Sequence, residues 1–178
     1  LKSLTVGGAN KVVLDLRNCA GGEVDEAVST ASMFLDDGLV AYLQGQRYPR
    51  QDIRTQSPAA ASKLPLAVLI NQSTAGPAEL VASAILNNKR GEVVGIRSFG
   101  VGVLQKTIPV GDGSALLLSV AKYYGVDGQA IHDNGITPSV IQSAGEESSG
   151  LVDDDELPEP EHFGDSDDPQ LRKAIEVL

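Results

Sequence analysis

Short apolar runs alternate with amphipathic stretches along most of this chain. Val12–Leu16 is apolar at every position except Asp15, the pattern of a parallel strand covered on both faces. The turn Asn18-Cys19-Ala20-Gly21-Gly22 follows. Val24, Ala27, Val28, Ala31, Phe34 and Leu35 then fall at helical spacing, which predicts an amphipathic helix over roughly 23–36. Leu39–Leu43 reads as a strand and Arg50–Gln56 as a polar, exposed one. Leu66–Ile70 is a second fully apolar strand. Pro77 suits a first helical position, and Leu80, Val81, Ala84 and Ile85 supply the apolar face of a helix to about 88. Val93–Ile96 is a third short buried strand. Val101–Val110 and Ala115–Tyr124 flank Gly111-Asp112-Gly113-Ser114, a β-hairpin with Asp-Gly as its turn signal.

The two ends read differently. Leu1–Leu4 followed by Val6-Gly7-Gly8 reads as the last turns of a helix and its glycine stop, so the chain reads as a fragment lacking an N-terminal part and any export signal. Residues 143–167, rich in Glu, Asp, Ser, Gly and Pro, read as an acidic flexible linker. Asp168-Pro169 then cap a final helix, and Leu171, Ile175 and Leu178 give it a face to dock on this domain or on another copy. The expected organisation is an α/β layered core over 1–142 with a mostly parallel sheet and a β-hairpin. The linker and a C-terminal helical arm over 168–178 follow.

Composition narrows the function. With 178 residues, 42% of them hydrophobic, the chain can bury one core. It has no apolar run long enough to span a bilayer. Residues 1–145 carry equal numbers of acidic and basic side chains, so the whole net charge of −10 falls in the last 33 residues. A neutral body with an acidic tail offers no electrostatic footprint for nucleic acid. Cys19 is the single cysteine, which excludes an internal disulfide and a Cys-based zinc site, and two histidines leave little for a metal centre. No Gly-Lys-Ser/Thr loop and no helix-opening G-x-G-x-x-G occur, so no nucleotide or other cofactor is expected.

Three glycine turns follow buried strands: Gly21-Gly22, Ser73–Pro77 and Gly100-Val101-Gly102. Such turns, at the carboxyl ends of strands, are where α/β proteins place sites. The block Val13-Leu14-Asp15-Leu16-Arg17-Asn18-x-x-Gly21-Gly22 resembles the signature of the C-terminal processing peptidases, or tail-specific proteases. The resemblance continues through Ala78–Ala82, Val94–Gln105, Asp112–Leu116, Tyr123-Tyr124, Gly135-Ile136-x-Pro138 and Asp168–Leu171. It implies a crotonase-like core, which family members combine with a PDZ domain. The PDZ domain and the first strand and helix of the core would lie outside this sequence.

The resemblance also implies a chemistry, hydrolysis of peptide bonds by a serine–lysine dyad. A serine hydroxyl needs a nearby base, and a lysine serves once a dry pocket lowers its pKa. Backbone N–H groups stabilise the oxyanion. Aligned on Glu79-Leu80, the nucleophile position is Gly76, and the lysine position is Val101. The oxyanion donors would be the N–H of residue 77, which is Pro77 and has none, and that of Gly22. Gln105 matches a glutamine that helps orient the lysine. Gly21, Gly22, Gly100 and Gly102 would line the peptide cleft.

With nucleophile, base and one donor replaced, the resemblance points to a homologue that binds peptides, at unstructured segments or C-termini, without cutting them. It would act alone, with a second copy or beside an active paralogue, in an extracytoplasmic compartment where exported family members work. Two alternatives stand beside it. One is an active peptidase with relocated residues, Ser73 or Thr74 with Lys106. The other is an assembly module with a vestigial cleft. Cys19 reads as an inert small residue, His132 as solvated, and Asp15 and Arg17 as a structural network beside the Gly-Gly turn.

Overall fold

A computed structural model describes residues 1–56, 62–145, 164–165 and 167–178. The expected linker lies largely outside the described residues. In chain order the elements are α1 (Lys2–Val6), β1 (Val12–Asp15), α2 (Val24–Ser32), β2 (Leu39–Gly45), β3 (Tyr48–Arg54) and β4 (Leu66–Ile70). Then come α3 (Pro77–Asn87), β5 (Glu92–Gly95), β6 (Val103–Pro109), β7 (Ala115–Tyr124), β8 (Val140–Ile141) and α4 (Pro169–Val177).

Among the described residues the strands form two four-stranded sheets. The first has the order β1-β4-β5-β8 and every pair is parallel. The second has the order β3-β2-β7-β6 and every pair is antiparallel. The α/β reading therefore holds, but the antiparallel sheet is as large as the parallel one. Two features hid it. The β2–β3 turn, Gln46-Arg47, carries no Gly, Pro, Asn or Asp to mark it. The β2–β7 pairing, Tyr42 opposite Tyr124, is a contact across distant sequence. That pair is reinforced by the stacked Tyr42 and Tyr124 rings, 4.9 Å between centroids.

The parallel sheet is covered on both faces. All five residues of β4 are buried. Leu66, Val68 and Ile70 face the larger core with Ala31, Phe34, Val81 and Ile85. Ala67 and Leu69 point the other way, onto Val94 and Ala174, with Leu171, Val177 and Leu178 packed around them. Burying a Leu or Ile side chain completely contributes about 1.5–3 kcal/mol, so these two faces account for much of the fold's stability. Helix α4 thus docks on this domain. Its docked face is Gln170, Leu171, Ala174 and Leu178, so Leu171 and Leu178 pack as expected, while Ile175 stays 54% exposed.

The β6–β7 hairpin projects from this body. Ile108, Leu116, Leu117 and Leu118 are all exposed on it. Its edge strand β6 reaches across to the opposite edge strand, where the Lys106 ammonium lies 5.2 Å from the ring centre of Tyr48 on β3.

Candidate functional site

The parallel order of β1, β4 and β5 brings their carboxyl ends side by side, so all three glycine turns emerge on one edge of the sheet. The middle turn runs from Asn71 into α3. Gly76 sits immediately before the helix with φ 64° and ψ −127°. A residue with a Cβ enters that region only under strain. Yet a Cβ at Gly76 would meet nothing within 4 Å. A sharp strand-to-helix turn with its residue in a strained conformation and open space in front is the geometry that hydrolases use to present a nucleophile. Pro77 follows at the first helical turn, a position that needs no N–H for the helix and supplies none to a ligand.

The turn is braced from beneath. The buried Thr74 hydroxyl donates to the Leu16 carbonyl at 2.8 Å. Asn71 accepts from the Asn18 N–H at 3.0 Å and donates back to the Asn18 side chain at 2.9 Å. The Ala75 N–H donates to the Cys19 carbonyl at 2.9 Å. The first and middle turns are therefore one bonded unit. Between them, Cys19, Gly21, Gly22, Pro77, Ala78 and Val81 help line a pocket of 180 Å³. Larger hollows of 350–520 Å³ lie elsewhere on the molecule, lined by none of Gly21, Gly22, Gly76, Gly100 and Gly102.

Glu79 joins the middle turn to the third. Its carboxylate is fully buried. It accepts from the N–H groups of Gly76 at 2.9 Å, Gly100 at 2.8 Å and Val101 at 2.8 Å, and from the Ser98 hydroxyl. Ser98 in turn accepts from the Ile136 N–H at 2.7 Å. A buried carboxylate with this many donors is satisfied without a cation. Gly100, at φ +95°, has no room for a side chain, because a Cβ would lie 2.9 Å from the Gly135 nitrogen.

Gly76, Gly100 and Val101 are thus brought together through Glu79, and Gly21, Gly22 and Pro77 through the pocket. Val101 is 42% exposed and its N–H is already used. Gln105 is exposed on β6 opposite Ser119. Glu79 carried no role in the sequence reading, although a Glu three residues after a helix-starting turn is a capping signal. Of the relocated candidates, Ser73 is exposed with its N–H bonded to Asn71, and Lys106 is turned to Tyr48. His132 is only partly solvated: its side chain is 30% exposed with Nε2 3.5 Å from Asp133, while its Nδ1 is buried and, among the described residues, has no hydrogen-bond partner.

Behind the first turn lies a charged network. Arg17 contacts Asp15 through Nη2 at 2.7 Å and Asp168, at the start of α4, through the same nitrogen at 2.7 Å. Its Nη1 donates to Gln170 at 3.1 Å. Burial alone would raise the Asp168 pKa. Hydrogen bonds from Arg17 and from the Gly164 and Leu171 N–H groups outweigh it and hold the carboxyl down at about 2. Burial likewise opposes the Arg17 cation, but its bonds to Asp15 and Asp168 prevail and raise its pKa further.

The model of peptidase family S41 matches residues 1–141. The chain belongs to peptidase family S41. It is 35% identical over 141 residues to a carboxyl-terminal-processing protease of Synechocystis, covering 79% of this chain and 33% of that protein. It is 37% identical over 139 residues to the chloroplastic carboxyl-terminal-processing peptidase 2 of Arabidopsis thaliana, covering 78% of this chain and 27% of that one. The photosystem II D1 C-terminal processing protease superposes with a TM-score of 0.74 at 33% identity, over 79% of this chain and 36% of the other. The chain spans about a third of the length of the relatives it matches. These S41 relatives include chloroplastic and bacterial processing proteases. Among the described residues no helix is long and apolar enough to cross a membrane.

Proposed function

We propose that this chain is the cleft-bearing part of an S41 homologue that holds extended peptide segments, including protein C-termini, without cutting them. The observation that carries the reading is at residue 76. The backbone there has the conformation of a nucleophile-presenting turn, but the residue is Gly76, with Pro77 behind it. Hydrolysis needs an oxygen to attack, a base to take its proton and donors for the oxyanion. Positions 76, 101 and 77 offer hydrogen, an isopropyl group and a ring nitrogen in their place. Gly22 retains its N–H and the space above Gly21 is open, while Gly100 and Gly102 pack against residues 131–135 and hold the third turn in place. Edge strand β6 begins directly after Gly102, so a peptide entering the cleft can pair with it by β-augmentation. On this reading Gln105 is a remnant. The partner is an unstructured segment, a second copy or an active paralogue, and the setting is extracytoplasmic.

The test pairs cleavage with binding. An unstructured protein with a free C-terminus is incubated with this chain, with an active S41 peptidase alongside, and its binding is followed by calorimetry. Binding without products is expected. Cleavage that disappears in Ser73→Ala or Lys106→Ala would overturn the reading, and so would absence of both binding and cleavage.

A further inference from the structure

We infer that helix α4 is the element that positions the glycine turn of the cleft, acting through Arg17. Two polar side chains at the start of α4 are buried against the far face of the parallel sheet, Asp168 at 2% exposure and Gln170 at 0%. Both bind the Arg17 guanidinium, whose own side chain is 2% exposed. Gln170 is itself fixed from behind, its amide donating to the Gln142 carbonyl at 2.8 Å. Asp168 also caps α4, accepting from the Leu171 N–H at 2.9 Å. The helix therefore cannot leave without stripping Arg17 of buried partners and breaking the Gln170 bond to Gln142.

Arg17 stands at the head of the turn. The next residue, Asn18, holds a left-handed backbone at φ 56°, stabilised by its reciprocal bonds to Asn71. Cys19 then binds Ala75 beside Gly76. A continuous line of contacts thus runs from α4 through Arg17 to the pocket wall, about which hydrophobic packing alone would say nothing. Asp15, with its side chain 43% exposed, holds the other edge of the guanidinium, accepting from Nε at 3.0 Å and Nη2 at 2.7 Å. Docked, α4 keeps Asn18–Gly22 against the elbow at Gly76. Undocked, it frees the turn and opens the pocket wall.

The inference rests on the cleft reading, but its test needs no peptide. Cys19 is the one cysteine in the sequence, and it lines the pocket half-buried. Its labelling by iodoacetamide reports opening of the turn. In Asp168→Ala and in Gln170→Leu, labelling well below the melting temperature rises by about tenfold, the scale expected from losing one or two hydrogen bonds to a buried charge. In Val40→Ala, destabilised to a similar degree in the other sheet, it does not rise. Equal labelling in all variants, or an equal rise in the control, would overturn the inference. Should Asp168→Ala not fold, hydrogen exchange on the unaltered chain decides. Amides of α4 and of residues 18–22 are expected to open with the same free energy below that of global unfolding, and separate opening would reject the coupling. Loss of peptide binding with intact coupling would count against the cleft reading alone.

Discussion

Two buried carboxylates hold the functional edge of this molecule, and they do it by different means. Glu79 sits among neutral donors, three N–H groups and a hydroxyl, and ties the elbow to the Gly100 loop. Asp168 sits against a guanidinium and ties α4 to the Gly-Gly turn. The first arrangement is local, built from loops that meet at strand ends. The second spans the sheet and depends on a helix reached only after a long acidic stretch. A carboxylate held by backbone has no substitute when it is lost. One held by Arg17 leaves behind a cation that still has Asp15.

That difference ranks the consequences of mutation. Glu79→Ala strands three N–H groups, that of Gly100 buried, together with the buried Ser98 hydroxyl, and should cost about 3–5 kcal/mol, enough to unfold a marginal domain, as read by urea denaturation. Equal stability in Glu79→Ala would break the comparison. Asp168→Ala should cost less, about 2–3 kcal/mol, because Arg17 keeps Asp15.

Acid sharpens the contrast further. The Asp168 carboxyl lies at about 2 in the folded chain, below its ordinary value of 3.8. Its folded pKa is depressed, so its contribution is present above about pH 4 and lost as pH falls towards 2. The shift corresponds to about 2 kcal/mol. Denaturation midpoints measured across this window should fall more steeply for the parent chain than for Asp168→Asn. Parallel curves would mean that Arg17 does not select the charged form. Gly76→Ser is the mildest change. The open space accepts the side chain, and the positive φ costs about 1–2 kcal/mol. That variant should fold and, lacking a base at Val101, still leave peptide intact in a cleavage assay.

Three strands of the parallel half were legible as apolar runs, and its helices by their period. The fully apolar Leu66–Ile70 and the helix opened by Pro77 came out at almost their observed bounds. Helix α2 stops at Ser32, short of the expected 36, yet Phe34 and Leu35 are buried all the same. Periodicity records burial and does not record where hydrogen bonding ends. Strand β8, two residues long, has no period to read. In α4, Leu171 and Leu178 follow the hydrophobic pattern and Ile175 does not, because the seat is completed by Asp168, Gln170 and the small Ala174. The cleft residues were implied by the resemblance to the family's motifs, whereas Glu79 needed the three-dimensional meeting of two loops before its purpose was visible.

The projecting hairpin carries a cost of a different kind. Ala115–Leu118 is an uncharged, strand-forming stretch exposed on both faces and next to an open edge, the profile of a segment that recruits copies of itself into stacked sheets. Two residues on β6 stand guard. Pro109, opposite Ala115, has no N–H to offer an incoming strand, and Lys106, opposite Leu118, sets like charges against each other when two such edges meet. Replacing Lys106 and Pro109 by strand-forming apolar residues should therefore shorten the shelf life of a concentrated solution, as light scattering would read.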